Sequence, residues 1–198
     1  MNMNSQKVRI KLNAPAVLTF ALVCFAAQLL NILTKGKSNE LVFSVYRSSL
    51  LNPMTYVRCV CHVFGHADWE HLLGNMMYLL ILGPMLEEKY GTANIVFVML
   101  GTAIVTGIIN VIFFPYVCLL GASGIVFAFI LLASITTTAA KTIPLTFILV
   151  AAMYIGQQIY QGVFVQDDIS QLTHIVGGVV GSVLGFVMNR LKMNRYQR

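Results

Sequence analysis

Six runs in this 198-residue chain are apolar and long enough to be read as bilayer crossings, and that repetition leaves few folds open. Crossing about 30 Å of hydrocarbon takes about 20 helical residues. A backbone inside lipid must satisfy its own hydrogen bonds, so such runs become helices. They lie at Pro15 to Leu33, His71 to Leu86, Ala93 to Phe114, Gly121 to Thr138, Ile143 to Tyr160 and Ser170 to Leu191. The fold expected is an all-α membrane protein, a single six-transmembrane-helix domain over 1–198. It has tails at 1–14 and 192–198 and a first outer loop at 34–70. Only 10% of the residues are charged and the mean hydropathy is +0.78, where a soluble domain carries roughly 25% charged residues. The loop at 34–70 is too long to be bare, and its apolar stretches Leu41-Val42-Phe43 and Ser49-Leu50-Leu51 predict short helices at the membrane surface.

The net charge of +6 is explained by where the charges fall. Lys7, Arg9 and Lys11 precede the first run, Lys89 follows the second, Lys141 the fourth, and Arg190, Lys192, Arg195 and Arg198 flank the end of the sixth. If six helices alternate, these nine of thirteen basic residues share one side, which the positive-inside rule makes cytoplasmic. Both termini are then cytoplasmic, the basic excess is a topology signal with some attraction to the lipid bilayer, and no nucleic-acid partner is expected. The first run continues through Leu29, Leu30, Ile32 and Leu33, longer than a signal-peptide core, so a retained helix is expected. Of the four cysteines, Cys24 falls in the first run, Cys59 and Cys61 in the first outer loop and Cys118 in the second. A bridge from Cys59 or Cys61 to Cys118 stays open, with free thiols the simpler reading.

Polar residues inside lipid are costly, so their placement is informative. Runs two, four and six travel in the same direction, and near the start of each stand His71 and Asn75, Ser123, and His174. Four residues of helix rise about 6 Å, so these side chains share one depth near the outer face. His71 and Asn75, four apart, project from one helix face. Gly177, Gly181 and Gly185 form a smooth strip on run six and Gly121 and Gly124 flank the serine, so runs four and six are expected to pack closely and bring His174 to Ser123. A serine hydroxyl becomes a useful nucleophile when a neutral imidazole takes its proton. The oxyanion formed on attack needs donors, which the Ser123 backbone N–H, the Asn75 amide and the His71 ring are placed to supply. Asp167 and Asp168 lie outside and Glu87 and Glu88 near the inner face, so a two-residue dyad is expected, not a triad. Glu87 reads as a structural acceptor for inner-loop backbone or a neighbouring helix. His62 and His66 read as loop-holding residues bonded to backbone.

Gly121-Ala122-Ser123-Gly124, His71-x-x-x-Asn75 and His174-x-x-Gly177-x-x-x-Gly181, with His62 and His66 upstream and an acidic-basic-Gly segment at Glu87 to Gly91, resemble the rhomboid intramembrane serine proteases, in the bacterial six-helix form. The resemblance covers essentially the whole chain in the right order. It implies a Ser123/His174 dyad, an oxyanion hole of His71, Asn75 and the Ser123 N–H, no cofactor or metal, and transmembrane protein substrates cut in or near a segment that can unwind. It also implies an inner-membrane protease whose site opens to the outer side. Two positions depart from the common pattern. Val57 stands before Arg58 where many rhomboids carry Trp-Arg, and Phe127 stands where a Tyr often stacks on the catalytic histidine.

Two rivals belong to other classes. His62, His66 and His71 can be read as metal or haem ligands, but their spacing is uneven and no His-Glu-x-x-His or cysteine pattern accompanies them. A non-catalytic rhomboid-like protein that binds membrane clients is the alternative function. Such relatives generally lack the serine or the histidine, and this chain has both.

Overall fold

The computed structural model describes residues 12–135 and 145–160, together with 178–180, 183 and 187 of the last predicted run. His174, Gly177, Gly181, Asp167, Asp168 and the carboxy-terminal tail lie outside the described residues, as do 1–11. The six helices described are α1 (Pro15–Leu33), α2 (Pro53–Cys61), α3 (Trp69–Tyr90), α4 (Thr92–Phe113), α5 (Ser123–Ile135) and α6 (Leu145–Tyr160). A π-helical turn at Asn39–Phe43 and a 3₁₀ turn at His62–Phe64 flank α2, so the first loop is built of short helices. No strand occurs among the described residues; Val45 and Leu119 form an isolated antiparallel bridge.

Helix ends follow local chemistry. Pro15 opens α1, where a missing N–H costs nothing. Ala14 has no side chain to cap the next amides, and the cap comes from α3 instead: Ala16 N–H and Val17 N–H donate to Glu87 Oε1 and Oε2, each at 3.0 Å. Thr92 Oγ1 at the start of α4 donates to the same carboxylate at 2.7 Å. A buried anion at a helix N-terminus is favoured by the unpaired amides and the helix dipole. Glu87 therefore pins the beginnings of α1 and α4 to the end of α3. Asp68 caps α3 by accepting from His71 N–H at 2.8 Å, and Asn52 caps α2 by accepting from Met54 N–H at 3.0 Å.

The core gathers where α3 lies against both α1 and α5, with Leu72, Met76, Leu79, Ile125, Phe129 and Leu132 buried there. Close approaches need glycine. A Cβ on Gly83 would stand 2.7 Å from both methyls of Val17, and one on Gly107 would stand 2.6 Å from the carbonyl oxygen of Cys59, so α3 meets α1 and α4 meets α2 at these points. Residues 114–122 carry the chain from α4 to α5. Asn110 Nδ2 donates to Val45 O at 3.0 Å and Val117 O at 3.1 Å, tying the first loop to that connection.

By length and composition, α1 and α4 can each cross a membrane; α5 is a shorter apolar helix over its 13 described residues. The other predicted runs do not meet that standard among the described residues. α3 has 22 residues but carries Glu70, His71, Asn75, Glu87, Glu88 and Lys89, which dilute its hydropathy. It starts two residues before the predicted run and ends four after it.

Candidate active site

The turn into α5 is the geometric centre of the polar residues. Gly121 has φ +118°, a conformation that L side chains rarely adopt, and its N–H donates to His62 O at 2.9 Å. That bond sets the turn onto the 3₁₀ segment, and Ser123 is the first residue of α5, half-buried. A Cβ on Gly121 would stand 2.8 Å from both Cε1 and Nε2 of His71 and 3.8 Å from Asn75 Nδ2. The glycine is thus the opening through which both α3 side chains reach the backbone of the serine turn. His71 and Asn75, one helical turn apart, converge on the residue two before Ser123.

Asn75 is buried, and its Nδ2 has no hydrogen-bond partner among the described residues. Buried donors are almost always paired, and an orphan beside the serine turn asks for an acceptor supplied by something bound. His71 packs edge-on to His66, with ring centroids 5.0 Å apart.

His62 and His66 are held by backbone. His62 Nε2 lies 3.1 Å from Ala103 O; a carbonyl only accepts, so Nε2 carries the proton. Thr106 Oγ1 lies 3.3 Å from the same nitrogen. His66 Nδ1 donates to Phe64 O at 3.2 Å, and His66 O accepts from Asn39 Nδ2 at 2.9 Å. Burial pushes both imidazoles down to about 4, His71 adding to the effect at His66, so both are neutral near pH 7. Arg58 is buried, donates from Nε to Leu41 O at 3.0 Å and stacks its guanidinium over Tyr46, 4.5 Å from the ring centroid. The arginine thus finds its own partners in the loop, with Val57 beside it partly exposed.

Beside Ser123 lies a partly open cavity of about 10 Å³, near the room of one water, lined by His62, Thr102, Thr106, Gly121 and Gly124 and by the apolar Val63, Leu119 and Ile125. Thr102 and Thr106 were not among the residues expected from the sequence. The signal was available: Thr102, Thr106 and Asn110 recur at intervals of four in an otherwise apolar helix, and all three are buried.

Phe127, one turn into α5, is buried, and its ring lies where a Cβ of Gly178 would be. Runs four and six therefore meet at Gly178 among the described residues; Gly177, Gly181 and Gly185 lie outside them. Gly178 was not singled out in the sequence, although it stands four residues after His174. Among the described residues, no three His, Cys, Asp or Glu side chains group as a metal would require, and all four cysteines are free.

The Rhomboid domain family matches residues 53–191, from the start of α2 to the end of the last predicted run. The chain is 27% identical to mouse Rhomboid-related protein 2 over 159 residues, 70% of this chain and 53% of that one. It is 21% identical to Rhomboid-like protein 11, chloroplastic, of Arabidopsis thaliana, over 66% of this chain and 52% of the relative. RHOMBOID-like protein 4 of the same plant is 30% identical over 62% of this chain and 32% of its own length. The chain thus spans about half the length of the first two of these curated relatives. With a family match that covers most of its length and includes the serine turn and both α3 side chains, this chain belongs to the rhomboid family of integral membrane proteins.

Proposed function

We propose that this protein is an intramembrane serine endopeptidase that cuts transmembrane segments of other membrane proteins with a Ser123/His174 dyad. The observation that carries this reading is the convergence of His71 and the unpartnered Asn75 Nδ2 on the Gly121 turn, two residues before Ser123. His174 stands four residues before Gly178, and the helical period predicted for run six puts the two on one face. Gly178 meets Phe127, one turn beyond Ser123, which supports the approach of run six to α5 that the dyad requires.

The chemistry is acyl transfer. Ser123 Oγ attacks the scissile carbonyl as His174 takes its proton, and the oxyanion is met by the Ser123 N–H, Asn75 Nδ2 and His71. His174 returns the proton to the leaving amine, and a water then attacks the ester with the same base, releasing acid and free serine. The cavity beside Ser123 is near the size of such a water. No cofactor is needed.

The finer reading is a six-span single domain over 1–198, in a bacterial inner membrane with cytoplasmic termini and the site open to the outer side. Labelling by a fluorophosphonate probe tests the dyad: the wild-type protein labels on Ser123, and His174→Ala abolishes the signal while the protein stays folded. Undiminished labelling of the His174→Ala protein sinks the proposed base.

A further inference from the structure

His71 stands on the first turn of α3 and is only half-buried, so its ring needs more than the helix to hold it in one direction. Its Cε1 and Nε2 edge is set against Gly121. A second contact comes from His66, whose ring meets that of His71 at 71° with the centroids 5.0 Å apart. Edge-on pairs of this kind are a favoured geometry for two π-systems. The oxyanion donor proposed on α3 is therefore in touch with the serine turn and with another imidazole.

His66 is itself built in. Its Nδ1 donates to Phe64 O at 3.2 Å, and its own carbonyl accepts from Asn39 Nδ2 at 2.9 Å. Asn39 is buried in the π-helical turn, and its N–H donates to Asn31 Oδ1 of α1 at 3.4 Å. Gly65 lies so close to that turn that a Cβ would meet the Phe43 carbonyl oxygen and stand 2.8 Å from Phe43 Cβ. Contacts thus run from α1 through the π-helical turn to His66, and from His66 to His71. Asn31 and Asn39 precede residues 53–191, which the Rhomboid domain matches.

Holding the loop explains only part of His66. A carbonyl accepts and does not donate, so Nδ1 carries the proton and Nε2 is left bare, buried and without a partner among the described residues. Stranding a buried polar atom is costly. A donor to Phe64 O does not call for a ring; the contact with His71 does.

We propose that His66 is a positioning residue: its ring, braced by Asn39, keeps the His71 imidazole turned to the Gly121 backbone before substrate arrives. A donor fixed in advance costs no reorganisation when the oxyanion forms. The role deepens the endopeptidase reading and rests on it for its kinetic part alone.

Two variants separate the ring from the hydrogen bond. His66→Asn supplies an amide donor for Phe64 O and removes the ring; His66→Phe keeps the ring and removes the donor. Cleavage of a transmembrane reporter in proteoliposomes gives kcat and KM, and thermal unfolding is read beside them. His66→Asn melts close to the wild type but loses about tenfold in kcat with KM unchanged, whereas His66→Phe melts lower and keeps kcat within about threefold. In a His71→Ala background, His66→Asn costs nothing more. Independently of cleavage, isotope-labelled histidine gives His71 a ring resonance, assigned by its loss in His71→Ala. That line is sharp in the wild type and in His66→Phe, and broadened or split in His66→Asn. Values of kcat that follow melting temperature across the variants, a His66→Asn loss undiminished in the His71→Ala background, or a His71 line as sharp in His66→Asn as in the wild type would each overturn the proposal. A wild-type protein that cleaves no reporter removes the protease reading, and the His71 line then decides the positioning role by itself.

Discussion

Gly121 carries more of the site than its size suggests. It has a positive φ, and it leaves the space through which His71 and Asn75 reach the serine turn. Gly121→Ala therefore strains the turn and pushes the His71 ring away; we predict that cleavage falls much further than stability, read as kcat beside a melting curve. In the proposed mechanism Asn75→Ala removes one oxyanion donor of several and should cost about 10²- to 10³-fold in kcat. His62 and His66 give a pH prediction. Burial disfavours their protonated forms in the folded protein, so between the ordinary value of 6.5 and about 4 the unfolded chain binds protons more tightly. The stabilisation is whole above pH 6.5 and is lost as pH falls through that window. Unfolding in detergent measured from pH 7 to pH 4 should show stability dropping with pH, and His62→Gln should flatten part of the slope. At this scale the sequence was readable where a residue's chemistry is scarce in lipid: His71, Asn75 and Ser123 announce themselves as polar groups at one depth. Thr102 and Thr106 did not, because a threonine in an apolar helix is ordinarily bonded to its own backbone, as Thr106 also is to Thr102 O at 2.8 Å.

Elements are joined by a few specific contacts more than by uniform packing. Glu87 accepts from two amides of α1 and the hydroxyl of α4, so Glu87→Ala leaves buried donors unmet and should destabilise by on the order of 3 kcal/mol. Glu87→Gln keeps one acceptor oxygen and should lose less; reversible unfolding in bicelles separates the two. At Gly107, a Cβ would meet the backbone of Cys59, which cannot move aside as a side-chain tip can. Gly107→Ala should therefore cost about 1–3 kcal/mol in the same measurement. Helix boundaries were legible where a helix stops for its own reasons: α1 spans Pro15–Leu33 as read, since Pro15 starts it and the apolar run ends at Leu33. They were less legible where the apolar run stops short of the helix end. α3 runs past Leu86 to Tyr90 and ends at Gly91, φ +87°, with Glu87 buried among donors from other helices; the local mark of that end is the glycine of the Glu87 to Gly91 segment, not the apolar run.

For the whole molecule, the all-helical character followed from apolar run length, because lipid permits no other way to satisfy the backbone. The way the first loop reaches the site did not, since Val45 pairing with Leu119 and His62 anchoring Gly121 join residues far apart in the chain. The positive-inside distribution predicts that single cysteines placed at Asn4 and Gln197, in a cysteine-free background, are protected together from an impermeant maleimide in intact cells; labelling of only one would break the six-span topology. The central claim is catalytic, and cleavage of a reporter transmembrane substrate in proteoliposomes by the wild-type protein and by Ser123→Ala tests it most directly. The account predicts cleavage by the wild type and none by the variant, with both folded alike; equal cleavage by the two, or none by the wild type across a panel of transmembrane reporters, would contradict it.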